Sequence, residues 1–279
     1  MVQLGQQNNL EIVRKVDFGY YLDGQNLGEI LMPKRYASPE MKIGDVIKVM
    51  VYLDGEERLL ATTEKPFAQV GDFAYLKVNK IENVGAFLDW GLSKELMVPF
   101  SEQKIKMEES KSYVVYIYID KITERITGSM KLEKYLSKSK PEYSTNDEVD
   151  LLIWTLTDVG YKAIINNQHL GVVYKNEIFR KISTGQKIKG YIKKVRDDDK
   201  IDLTLDKPGY AKIDEFAQTI MELIDKSGGQ LPYNDKTDPE VIYSIFGVSK
   251  KVFKQSIGSL FKHRYIDITS EGIKKITKD

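Results

Sequence analysis

The sequence predicts a mainly β chain of three small barrels in tandem that closes on an α+β domain. Three observations carry this. A strand, glycine, strand grammar recurs three times between residues 10 and 205, the apolar spacing then turns from alternating to helical, and 279 residues exceed what one core usually organises. Hydrophobic residues make up 42% and charged residues 30%, with a net charge of +1, which suits packed domains and argues against a membrane protein or a disordered tail. No apolar run approaches the roughly 18 residues that span a bilayer. The opening MVQLGQQNNLEI lacks the basic and apolar regions of a signal peptide, so a cytoplasmic location is expected. With no cysteine, disulfides, thiolate metal sites and cysteine nucleophiles are excluded.

The first repeat runs from Leu10 to Asp23 (LEIVRKVDFGYYLD), then GEILMPK, then Ile43 to Thr63. The second runs from Phe73 to Gly91, then ELMVPFSE, then Ser112 to Met130, and the third from Glu148 to Ile165, then GVVYKNE, then Thr184 to Leu205. In each, polar residues alternate with Val, Ile, Tyr and Thr, the mark of half-buried strands. A charged cluster (DGEER, KITER or RDDDK) sets off a short last strand as a hairpin. Gly19, Gly85 and Gly160 interrupt the strand pattern, as expected at a bulge or bend that curls a small sheet closed. Five short strands per unit is the count of an OB-type barrel.

In the second repeat, NVGAFLDWG followed by ELMVPFSE resembles the S1 RNA-binding signature, with its Gly-Ala-Phe strand and its Ser-Glu after the third strand. Three such units with a winged helix behind them, and openings of the DFGYYLD and NVGAFLDWG kind, resemble the conserved virulence factor B family of bacterial RNA-binding regulators. The third unit departs from the pattern, with Lys162 where Phe87 stands and Lys175 where Phe100 stands.

After Lys207-Pro208-Gly209, apolar residues from Ile213 to Ile224 fall at helical spacing, and Gly228-Gly229 ends that helix. Asp238 with Pro239 opens a second helix that closes before Gly247. Ser249 caps a third, whose core face is read as Val252, Phe253, Ile257, Leu260 and Phe261, with Lys251, Lys254, Gln255 and Lys262 opposite. YIDITSEGIKKI then reads as a hairpin, completing a winged helix-turn-helix. The expected domains are therefore 1–66, an S1-like barrel; 67–136, an S1 barrel; 137–208, a degenerate S1-like barrel; and 209–279, the winged helix.

Barrels of this type grip single strands by stacking bases on exposed aromatics in a basic groove. The resemblance implies Phe87 and Phe100 in the second unit and Phe18 and Tyr21 in the first, with only Tyr161 or Tyr174 in the third; the competing reading is that these rings pack inward. Basic candidates are Lys175, Lys187, Lys189, Lys193, Lys194 and Arg196, grouped with Arg180 and Lys181 against the lone acid Glu177. In the last domain they are Lys251, Lys254 and Lys262 on the third helix and Lys274 and Lys275 in the wing, where residues 249–279 hold eight Lys or Arg against three acids. Asp197, Asp198 and Asp199 read as a solvated turn rather than a metal site, and His169 as a turn residue with no catalytic partner. His263 could touch phosphate or simply cap a helix. The two tryptophans, Trp90 and Trp154, are expected near barrel ends. No phosphate loop, zinc signature or nucleophile elbow is present. The expectation is a non-enzymatic binder of single-stranded RNA with no cofactor and no metal, whose further partners are proteins of the RNA or translation machinery. Two alternatives stay open: a protein-interaction scaffold and a DNA-binding transcription factor.

Overall fold

The computed structural model describes residues 1–175, 178, 181–205 and 215–276. The chain forms two compact units, one holding the barrels and one the C-terminal domain.

All three barrels close in one strand order: first, second, third, fifth, fourth. Barrel 1 is built from β1 (Gln7–Val16), β2 (Gly19–Asp23), β3 (Glu29–Pro33), β4 (Val46–Leu53) and β5 (Leu59–Thr62). Barrel 2 uses β6 (Phe73–Glu82), β7 (Gly85–Asp89), β8 (Leu96–Pro99), β9 (Ser112–Ile119) and β10 (Ile126–Ser129), and barrel 3 uses β11 (Glu148–Leu156), β12 (Gly160–Ile165), β13 (His169–Tyr174), β14 (Lys187–Val195) and β15 (Ile201–Thr204). Alternation puts one side of each strand inside. Ile12, Leu22, Ile30, Met32 and Val51 fill barrel 1, and Val78, Leu88, Val98 and Ile117 fill barrel 2. Ile153, Ala163, Ile165, Val173 and Ile192 do the same in barrel 3.

The bulges expected at the strand glycines sit one strand earlier. Register shifts between Ile12 and Arg14, Val78 and Lys80, and Ile153 and Thr155 leave one extra residue each in β1, β6 and β11. The glycines instead open the second strand, where the third strand passes too close for a side chain. A Cβ on Gly19, Gly85 or Gly160 would lie 2.2, 2.3 or 2.1 Å from the carbonyl oxygen of Met32, Val98 or Val173. Gly85→Ala is therefore expected to lower the stability of the barrel unit by about 1–3 kcal/mol, because backbone rather than a flexible side chain must give way. A urea midpoint equal to wild type would show that β7 and β8 separate without cost.

Neighbouring barrels are tied together. Gly5 N–H donates to Val51 carbonyl and its own carbonyl accepts from Val70 N–H, each at 2.8 Å. Asn167, in the turn before β13, accepts from Phe73 N–H and donates to Gly71 carbonyl, both at 2.8 Å. An apolar cluster of Phe73, Val114 and Leu132 with Leu152 and Ile164 seals barrels 2 and 3.

The second unit contains α1 (Glu215–Lys226), α2 (Pro239–Phe246) and α3 (Lys250–Lys262), with a small sheet in the order β16 (Gln230–Leu231), β18 (Gly272–Lys275), β17 (Ile266–Thr269). The start of the first helix expected at Ile213 lies outside the described residues. Asp238 caps α2 by accepting from Glu240 N–H at 2.8 Å, and Gly247 ends it in the left-handed region. The core is Ala217, Ile220, Ile224, Ile242, Phe253, Ile257 and Leu260. Val252 and Phe261, expected in that core, are 39% and 51% exposed. They flank the buried stripe of Phe253, Ser256, Ile257 and Leu260, which is too narrow to reach them.

Candidate nucleic-acid interface

The β2–β3 face of barrel 1 opens on a groove of about 1220 Å³. Phe18, in the β1–β2 turn, is 59% exposed at its edge. Tyr21 and Leu31, paired across β2 and β3, form the floor, and Lys34 and Arg35 follow at the end of β3. Period-two side-chain alternation explains this: Leu22 and Ile30 point inward, so Tyr21 and Leu31 point out. The Arg14 guanidinium lies 4.0 Å from the Tyr21 ring centre and donates to Glu29 at 2.6 Å, while Arg58 is held by Asp54 at 2.7 Å. Lys34 and Arg35 make no ion pair among the described residues; Arg35 lies 4.7 Å from the Tyr36 ring centre. Neither is neutralised by a carboxylate among the described residues, although Arg35 also hydrogen-bonds the Tyr36 and Tyr52 hydroxyls, so both charges remain available to the groove.

A second pocket, of about 250 Å³, adjoins this groove at the junction of barrels 1 and 2 and shares Tyr52, Asp54, Gly55 and Lys94 with it. Phe87 lines it with Trp90 and Met97. Lys94 clamps the junction, its ammonium donating to the Leu53 and Asp54 carbonyls at 2.5 and 2.7 Å. Burial, and then the charge of Arg125, push the Lys94 ammonium below its ordinary range. Trp90 donates its indole N–H to the Lys94 carbonyl at 2.6 Å. Tyr52 is buried beside Tyr36, their hydroxyls 3.4 Å apart, and burial pushes the Tyr52 phenol upward.

Among the aromatics expected to stack, Phe18, Tyr21 and Phe87 thus share one continuous surface. Phe100 is 44% exposed but lies in the turn after β8 and lines neither cavity. The Ser-Glu that follows it has a structural role. Glu102 accepts from the Ser129 hydroxyl and from Lys134, binding this turn to β10 and the segment beyond it. Burial opposes ionisation of Glu102, yet these hydrogen bonds hold its carboxyl below the usual range.

The basic strip of barrel 3 is less free than its sequence suggests. Lys189 is paired with Asp150 at 2.9 Å, because β14 and β11 put them opposite each other, and Arg196 is held by Asp202 at 2.9 Å and donates to the Tyr174 hydroxyl at 2.6 Å. The expectation that these cations lack acidic partners is therefore corrected for both. Lys187 and Lys194 are exposed and make no ion pair among the described residues, Lys175 and Lys193 are exposed as well, and Glu177 and Arg180 fall outside the described residues. Lys187 and Lys189 line a cleft of about 490 Å³ between barrels 2 and 3. Strand β14 is separated from β12 and β13 by β11 and β15, so the strip does not share a face with Tyr161 and Lys162. Trp154 is the extra residue at the β11 bulge, with Lys104 and Lys162 5.4 and 5.6 Å from its ring centre. His169 is buried at the start of β13, its Nδ1 3.0 Å from the Tyr143 hydroxyl. The turn expected there is made by Asn166 and Asn167, both at positive φ.

In the C-terminal unit, Lys251, Lys262 and Lys274 are exposed without an ion pair among the described residues, while Lys254 lies 3.9 Å from Asp235 and Lys275 2.5 Å from Asp225. His263 caps α3, its Nδ1 2.7 Å from the Ser259 carbonyl oxygen. Sequence reasoning missed Lys34, Arg35, Tyr52 and Lys94. Lys34 was findable, because Gly19 pairs with Pro33 as Gly85 pairs with Pro99, which aligns Lys34 with Phe100.

Among the described residues no group of three or more His, Asp or Glu could hold a metal, and no helix is long and apolar enough to cross a membrane. An exposed aromatic and basic groove on a β-barrel, with a winged helix in the same chain, defines a nucleic-acid-binding class of protein. Family models agree: an S1 domain matches residues 4–64 and a CvfB-like winged helix domain matches residues 218–274. These matches and the relatives below support a likeness to the conserved virulence factor B family. It is 28% identical to the uncharacterized protein YitL of Bacillus subtilis, covering 93% of this chain and 89% of the relative. Against conserved virulence factor B of Staphylococcus haemolyticus it is 24% identical, covering 95% and 92%. A crystal structure of a multidomain protein with nucleic acid binding domains from Streptococcus pneumoniae matches at 24% identity over 98% of each chain, with a TM-score of 0.43.

Proposed function

We propose that this protein binds single-stranded RNA along the barrel 1 groove and its extension into barrel 2, and that it acts in the cytoplasm as a post-transcriptional regulator. The observation that carries this is the exposed ring of Phe18 beside Tyr21, Lys34 and Arg35 in one groove. Stacked bases lie on the rings and phosphates on the two available cations, a combination that suits unpaired strands. The exposed lysines of β14 and the Lys251 and Lys262 side of α3 supply further phosphate contacts. The domain limits follow the repeats: 1–66, 67–136, 137–208 and 209–279. The regulatory part of the reading rests on the family resemblance and on relatives named as virulence factors.

The test is fluorescence anisotropy of a labelled single-stranded RNA over a series of salt concentrations. Each phosphate neutralised on a single strand contributes about −0.7 to the slope of log affinity against log salt. A Lys34→Glu, Arg35→Glu variant is expected to weaken binding and to flatten that slope by about 1 to 1.5. An unchanged slope would remove the groove from the interface. Absence of binding at low salt, in a folded protein, would leave the protein-scaffold reading ahead. That second reading has one observation of its own: Val241, Tyr243 and Ile245 are exposed along α2, with Tyr243 at 67%.

A further inference from the structure

The pocket between barrels 1 and 2 is smaller than the roughly 300–1,000 Å³ of sites that enclose drug-sized ligands, and it suits one planar ring rather than a length of chain. Its walls are flat or apolar, formed by Tyr52, Phe87, Trp90, Leu96 and Met97. Its cations are already engaged: Lys94 on two carbonyls, and Arg125 on Glu57 at 2.5 Å. What the pocket has left to offer is hydrogen-bond acceptors, above all Glu95, which lines it with a side chain only 23% exposed. Glu95 Oε1 accepts from Asn79 at 2.9 Å. Among the described residues Glu95 Oε2 meets only Lys80 Nζ, a long ion pair at 3.6 Å; that ammonium is held more closely by Glu82, at 2.8 Å, and lies 4.9 Å from the Phe87 ring centre, leaving the opposite ring face for a base.

We propose that this pocket receives a single splayed-out guanine, its ring against Phe87 and its donor edge on Glu95. The inference rests on the RNA-binding reading and adds base selectivity to it. Stacking and phosphate contacts tolerate every base. An ionised carboxylate is acceptor-only and discriminates. Guanine presents N1–H and the N2 amino group side by side, two donors for one carboxylate. Uracil presents one N–H flanked by two carbonyl oxygens, which a carboxylate repels, and adenine puts a ring acceptor at the same place.

The probes are a short labelled oligouridine, the same strand with one central guanosine, and the same strand with one central inosine, which lacks the amino group. Wild-type protein is expected to bind the guanosine strand about tenfold more tightly than oligouridine, with inosine between them. Glu95→Gln, which keeps the shape and removes the charge, is expected to bring the three affinities together. Equal and tight binding of all three strands by wild type would overturn the pocket assignment and leave the RNA reading standing. A guanosine preference that survives Glu95→Gln would overturn the assignment too, and failure to bind any strand would remove both.

Discussion

Phe253→Ala is expected to destabilise the winged-helix unit by about 3–5 kcal/mol, the range for deleting a fully buried aromatic from a small core. Phe253 is fully buried, with its ring centre 4.9 Å from that of Phe246 and 6.5 Å from that of Phe216, and Ile220, Ile242 and Leu260 belong to the same cluster. So small a core has little with which to fill the void. The measurement has a built-in control. Both tryptophans, Trp90 and Trp154, lie in the barrels, whereas every α-helix among the described residues lies in the other unit. Helical circular dichroism should therefore lose its transition at lower urea, while the tryptophan fluorescence midpoint stays in place. A common shift of both signals would show that the two units unfold together.

Combined replacement of Phe18, Tyr21 and Phe87 by alanine should cost at least about 100-fold in RNA affinity at fixed salt. Each stacked base contributes roughly 1–3 kcal/mol by alanine substitution, and three adjoining sites add incompletely. The salt slope should remain that of wild type, since no cation is removed. This separates stacking from charge: Lys34→Glu with Arg35→Glu changes the slope, and the aromatic variant changes the intercept. An aromatic variant with wild-type affinity would return these rings to the status of surface residues without a partner. A Phe100→Ala variant serves as reference, because Phe100 is exposed yet lines neither cavity.

The barrels and the winged helix were legible in the sequence because their signals are local. Period-two alternation, a glycine at a fixed place in each repeat and the caps Asp238 and Ser249 need only neighbouring residues to act. The errors arose where a distant strand intervenes. Lys189 looks unopposed along the chain, but pairing of β14 with β11 brings Asp150 to it, while Arg196 is met across the adjoining hairpin by Asp202, six residues on. Val252 and Phe261 fit a helical apolar face, yet only the packed partners decide how wide that face is.

The sequence by itself determined the strand and helix content, the triple repeat, the closing domain and the aromatic identities of Phe18, Tyr21 and Phe87. Only the tertiary structure decided that these three rings lie along one surface and that Lys34 and Arg35 are its available cations. It also decided that Glu95 borders the pocket beside Phe87 and that Lys94 clamps two carbonyls of barrel 1. The physical reason is that strand periodicity sets which way a side chain points, whereas charge compensation and pocket lining depend on residues brought together from different strands and barrels.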